Sequence, residues 1–129
     1  MGKIIVPILL LCLIISCSTE KVIKEKPSFL DICENPSLYD GVKISNVIIV
    51  KGWSVKDCIF HDNAITKTLN RSDWIASEGG YCLYVTGGLP KEINLFELPK
   101  DGIKALLTSI VKIKDDKVYL EFSEIKIVN

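Results

Sequence analysis

The chain has little of what most enzymes and nucleic-acid binders need. One histidine, one methionine and three alanines stand among 129 residues. After residue 16 those three alanines face 14 isoleucines and 9 valines. That ratio disfavours a mainly helical protein, because β-branched side chains suit a pleated sheet. Charge of one sign is missing too. Sixteen basic residues balance 16 acidic ones, and without residues 1–16 the net is −1. A general nucleic-acid binder clusters Lys and Arg against phosphate, so no nucleic-acid partner is expected. There is no Gly-rich phosphate loop, no Gly-x-Ser-x-Gly elbow and no His-Glu-x-x-His helix. The carboxylates are scattered along the chain, with none paired for acid–base work. No enzymatic activity, no cofactor and no resident metal are expected.

What is present begins with an address. Lys3 precedes a 12-residue apolar run from Ile4 to Ile15, with Pro7 inside it. A membrane-spanning helix needs about 20 apolar residues, so this run reads as a secretory signal. Its end, Ile14-Ile15-Ser16-Cys17, resembles the bacterial lipobox, in which an aliphatic residue, a tolerated residue and a small residue precede an obligatory Cys. The resemblance implies cleavage before Cys17, a diacylglyceryl group on its thiol and acylation of the new amino terminus. Each buried CH₂ contributes ~0.8 kcal/mol, so two or three acyl chains anchor a protein to the lipid bilayer without a spanning helix. The implied location is the bacterial cell envelope, facing outside the cytoplasm, on the outer membrane if the host has one. Three segments follow: a cleaved helical signal segment over 1–16, lipidated Cys17 and a charged flexible tether over 17–27, and one domain over 28–129. Without the leader about 44% of the residues are hydrophobic, enough for a single core.

Within that domain the periodicity is of strands. Ser28 can cap a short helix over Phe29–Glu34, which Asn35-Pro36 ends, and residues 37–41 read as a turn. From Val42 to Lys51, residues Val42, Ile44, Asn46, Ile48 and Val50 share one face, and Gly52 marks a bend. Trp74–Ala76 and Tyr81–Thr86 flank Ser77-Glu78-Gly79-Gly80, a hairpin signal. In the second of these, Leu83 and Val85 face opposite to Cys82 and Tyr84. Ile103, Ala105, Leu107, Val111 and Ile113 mark a later strand, and Lys114–Lys117 a polar turn. The last strand slips phase after Ser123, since Ile125 and Ile127 continue on the odd set whereas Phe122 is even, which predicts a bulge near Ser123-Glu124. Residues 53–73 carry no readable pattern beyond a weak strand signal at Trp53, Val55 and Ile59-Phe60. The predicted fold is mainly β: a small antiparallel five-stranded barrel with a short N-terminal helix, closed to remove its edges.

Asn35-Pro36…Tyr39-Asp40-Gly41-Val42-Lys43-Ile44 resembles the opening of bacterial extracytoplasmic OB-fold domains, where a short helix leads into the first strand. Asp116-Lys117-Val118-Tyr119-Leu120-Glu121 is similar to the final strand of that group. The resemblance covers about residues 28–127 and departs from the pattern at the 53–73 insertion. It implies an OB-like barrel and is silent on ligand. Trp53, Phe60, Trp74, Tyr81 and Tyr84 fall around the strands that bind ligands in OB-folds, and Trp53, Trp74 and Tyr84 are the candidate ligand-binding residues. Such rings stack on sugar, peptide or base, although in a small barrel they also fill the core. The functional expectation is a membrane-anchored, non-catalytic module that binds a small ligand or an envelope protein.

Beyond Cys17 the mature domain holds Cys33, Cys58 and Cys82, and outside the cytoplasm a thiol pair usually oxidises. Cys58 with Cys82 is the candidate disulfide, because it would staple the insertion to a central strand; pairs with Cys33 are the alternative. Closing such a loop stabilises by ~3–4 kcal/mol in the chain-entropy model. Cys33, beside Phe29, Leu30 and Ile32, reads as a small buried apolar residue. A rival reading gathers Cys33, Cys58, His61 and Cys82 into a zinc-binding or thiol-active centre, with Cys58-Ile59-Phe60-His61 giving a Cys-x-x-His spacing. The other two cysteines are not closely spaced, which weighs against it. Native mass spectrometry of residues 18–129, secreted to an oxidising compartment, separates the two. The expected mass is short by two hydrogens with one alkylatable thiol; a gain of one zinc ion would reverse the assignment.

Overall fold

The computed structural model describes residues 23–128; the expected signal segment 1–16 and the lipid site Cys17 lie outside them. Ser28 caps α1 (Phe29–Glu34). Its Oγ accepts from Asp31 N at 3.1 Å, while Asp31 Oδ2 accepts from Ser28 N at 2.9 Å. This reciprocal pair is a capping box. Lys24 Nζ reaches Asp31 at 2.8 Å; this bond first, then the Ser28 amide, holds the Asp31 carboxyl below its ordinary range. The turn predicted over 37–41 is in part a second helix, α2 (Pro36–Tyr39). Proline in the first turn pre-sets φ for a helix, so one more turn forms before Asp40-Gly41 redirects the chain.

Five strands follow: β1 (Lys43–Gly52), β2 (Trp74–Glu78), β3 (Tyr81–Thr86), β4 (Ile103–Lys114) and β5 (Lys117–Ile127). They close into a barrel in the order β1-β2-β3-β5-β4. β1 pairs with β4 from Lys43 to Val50 and with β2 from Ile49 to Gly52, with an irregularity between Val50 and Gly52, so this one strand joins β4 to β2 in the ring. The β4–β5 hairpin turns through Asp115 and Asp116, both at positive φ, as the tightest hairpin turns require. The predicted bulge is present: Thr108 faces Glu124 while Ser109 faces Phe122, leaving Ser123 as the extra residue.

The closed five-stranded barrel is as expected, but it is mixed rather than purely antiparallel, because β3 and β5 pair in parallel. The reason is arithmetic. Directions cannot alternate around a ring with an odd number of strands, so one neighbouring pair must run the same way. The other four pairings are antiparallel.

Alternation fills the interior as read. Ile44, Ile48, Val50, Trp74, Leu83, Val85, Leu107, Val111 and Leu120 are buried inside, with Phe29, Ile32 and Tyr39 in the same core. Asn46, the one polar residue on the inner face of β1, donates through Nδ2 to Pro27 O at 2.9 Å and to Glu78 Oε2 at 3.0 Å. Glu78 Oε1 also accepts from Phe29 N at 2.7 Å. One carboxylate thus ties the start of α1 to both β1 and β2. Replacing Glu78 by Ala strips the Phe29 amide and one Asn46 donor bond of their acceptor. Urea unfolding of Glu78→Ala is expected to show a loss of ~1–3 kcal/mol, with Glu78→Gln losing less because it keeps one acceptor oxygen.

Candidate functional site

The insertion between β1 and β2, residues 53–73, forms no strand of its own but docks along the parallel seam. Ile59 lies beside β3: its N donates to Gly80 O, and its O accepts from Cys82 N, both at 2.9 Å. Further on, Asn63 O accepts from Val118 N at 2.7 Å, and Ile65 N donates to Val118 O at 3.0 Å. β3 and β5 share only two residue pairs, Val85–Leu120 and Thr86–Glu121, and the insertion supplies hydrogen bonds to both strands beyond them. Its side chains cover a patch outside the barrel. Ile75, Cys82 and Tyr84 form a cluster separate from the main core, and Cys58, Phe60 and Ile65 pack on it. The Phe60 ring stacks on Tyr84 with centroids 5.7 Å apart. Cys58 and Cys82 are joined by a disulfide with their Cα atoms 5.5 Å apart.

Where this cover stops, a groove opens. Its volume is about 670 Å³, and its floor is the outward side of Ile49, Lys51 and Ser77. Ile49 and Ser77 face each other across β1 and β2, and Ser77 faces Cys82 across β2 and β3, so one row of the sheet runs from the groove floor to the disulfide. One wall is Trp53–Asp57, the first part of the insertion, which leads straight into Cys58. The other wall is the connector between β3 and β4, with a short 3₁₀ turn at Leu95–Glu97. That connector lies close against the barrel because of Gly102, at φ +76°. A Cβ there would stand 2.5 Å from Val50 O, so only glycine fits.

The two walls meet through aromatic rings. Trp53 and Phe96 have centroids 5.0 Å apart, inclined at 52°. Phe96 is 82% exposed and Trp53 39%, an unusual pair to leave in water. Lys51 Nζ donates to Lys56 O and ties the first wall to the floor. Lys56, Lys100, Asp57 and Asp101 put both charge signs along the rims. The groove therefore offers an aromatic platform flanked by donors and acceptors, with no free thiol or imidazole among its lining residues.

The predicted site residues separate. Trp53 stands in the groove. Trp74 is fully buried, its Nε1 donating to Gly88 O at 3.2 Å, so its ring fills the core. Tyr84 is 9% exposed beneath Phe60. Cys33, on α1, is a buried free thiol, and desolvation pushes it up to about 11. Among the described residues no group of three His, Cys, Asp or Glu side chains is placed to hold a metal ion. The rival set of Cys33, Cys58, His61 and Cys82 does not gather, because two of its sulfurs are bonded to each other. His61 instead accepts from Asn63 N through Nδ1 at 3.0 Å and shapes the insertion's own turn.

Leu95, Phe96, Leu98 and Lys51 are among the groove residues that periodicity did not single out. One signal was available for three of them: Leu95, Phe96 and Leu98 are large apolar residues in a connector that should be polar.

A raised thiol pKa also fixes a pH dependence. The unfolded Cys33 thiol ionises before the folded one, so rising pH favours the unfolded chain. Stability is expected to fall as pH climbs through the range of a solvated thiol and to level off beyond about 11. Iodoacetamide is expected to leave Cys33 unmodified at neutral pH until denaturant is added, read by intact mass. Compared with protein-family models, curated proteins and solved structures, the chain matches none of them.

Proposed function

We propose that the chain is a lipid-anchored, non-catalytic binding module of the bacterial envelope, which takes a small ligand or a partner's segment into the groove on β1 and β2. The observation that carries the binding reading is the Trp53–Phe96 pair. Two large rings stay in water at the mouth of a concave surface, which is unfavourable unless an occupant covers them. The lipid-anchored part rests on Ile14-Ile15-Ser16-Cys17 and on the charged tether that follows. The mixed rim charges and near-neutral chain suit an uncharged or zwitterionic occupant better than a polyanion.

Two measurements test this reading. In bacterial cells fed labelled palmitate, the wild-type chain is expected to carry label and sediment with membranes, and Cys17→Ser to do neither. Trp fluorescence of the lipidated protein in detergent is then followed against muropeptide and unstructured-peptide probes. One probe is expected to shift Trp53 emission with saturation, and Phe96→Ala to weaken it by about tenfold, the scale of one lost aromatic anchor. Phe96 is so exposed that its removal should change stability by no more than about 0.5 kcal/mol. Emission that no probe moves would remove the groove as the site.

A further inference from the structure

We infer that the Cys58–Cys82 disulfide is a thiol–disulfide exchange site, and that its reduction by an external dithiol releases residues 53–62 from the outside of an intact barrel. The two sulfurs are unequal. Cys82 is 1% exposed, beneath the insertion, whereas Cys58 is part-exposed between exposed Asp57 and Ile59. An incoming thiolate therefore reaches Cys58 Sγ. The S–S bond breaks, Cys82 leaves as a thiolate and takes up a proton, and a mixed disulfide stays on Cys58. The second thiol of the reagent attacks its own sulfur in that mixed disulfide. Cys58 is released as a thiol and the reagent leaves as its disulfide. Two electrons pass from the dithiol to the chain. No internal thiol competes among the described residues, because Cys33 is buried on α1 in the main core, a different cluster from the one on which Cys58 and Cys82 pack.

Release is local because the insertion is held in two different ways. Its second part belongs to the barrel: Ala64 is 3% exposed within the main core, and Asn63 and Ile65 share hydrogen bonds with Val118. Its first part is held to β3 by two backbone bonds at Ile59, the Phe60–Tyr84 stack and the disulfide, and elsewhere only by exposed contacts: Lys51 Nζ to Lys56 O, Lys117 Nζ to Asp62 O and the Trp53–Phe96 pair. The patch beneath, Ile75 and Tyr84, is not part of the main core. Asn63-Ala64 is thus the hinge. Opening uncovers an apolar patch and removes the covalent anchor of the groove wall from Trp53 to Asp57. The switch acts on the chain's own fold and does not require an occupant in the groove.

Native-state hydrogen exchange, with and without dithiothreitol, reads this at named amides. Alkylation mass in the absence of denaturant should show Cys58 and Cys82 modified and Cys33 not. After reduction the Ile59 and Cys82 amides are expected to exchange about 10- to 100-fold faster, the scale of a lost short cross-link. The Val118 and Val111 amides, which bond to Asn63 O and Val42 O, should stay within about threefold. Cys58→Ser should reproduce the reduced pattern without reductant. Three results would overturn the inference. One is a bond that resists dithiothreitol in the folded protein. Another is complete reduction with unchanged exchange at Ile59 and Cys82. The third is equal acceleration at Val118 and Val111, which would make the bond a staple of the whole fold.

Discussion

A ring with an odd number of strands cannot alternate direction all the way round, and this barrel has five. Somewhere two neighbours must run parallel, and here they are β3 and β5. The seam is short, two residue pairs, while β4 and β5 pair over ten. Beyond it both strands carry backbone groups in need of partners, since unpaired buried amides and carbonyls are expensive. The 53–73 insertion answers that need. It docks beside β3 at Ile59 and beside β5 at Asn63 and Ile65, and its apolar side chains come to rest on the outside of β2 and β3.

That placement divides the outer surface of the sheet. Over Tyr84 and Ile75 the chain covers its own surface with Phe60 and Ile65. Over Ile49, Lys51 and Ser77 it leaves a groove open. The Cys58–Cys82 bond sits on the border, in the same cross-strand row as Ile49 and Ser77. The groove and its wall are therefore consequences of how the seam is filled, and Trp53 and Phe96 become a pair only because two non-adjacent connections lean together there.

Much of this was legible in the residues. The even-numbered face of β1 is buried from Ile44 to Val50, as its alternation required. Cys82 and Tyr84 point away from Leu83 and Val85, and the phase slip read near Ser123-Glu124 is a bulge at Ser123. The parallel pair was not read from the residues: alternation finds strands one by one and does not record which of them become neighbours around the ring. The candidate site was less legible. Of Trp53, Trp74 and Tyr84, only Trp53 stands in the groove. Trp74 belongs to the inner face by its pairing with Val85, so its ring serves packing. Phe96 lies in a connector, which has no period to read.

The sequence by itself determined the elements: a capped helix before β1, alternating strands, hairpins at Gly79-Gly80 and Asp115-Asp116, and a bulge. Each is set by neighbours a few residues away, through backbone preference and side-chain alternation, so local order is enough to find it. Only the tertiary structure decided where residues 53–73 lie, which aromatic rings stay in water, and that Cys33 stands apart from Cys58 and Cys82. Those outcomes depend on strands far apart in the chain meeting around the ring, and no local periodicity records which surfaces that meeting covers.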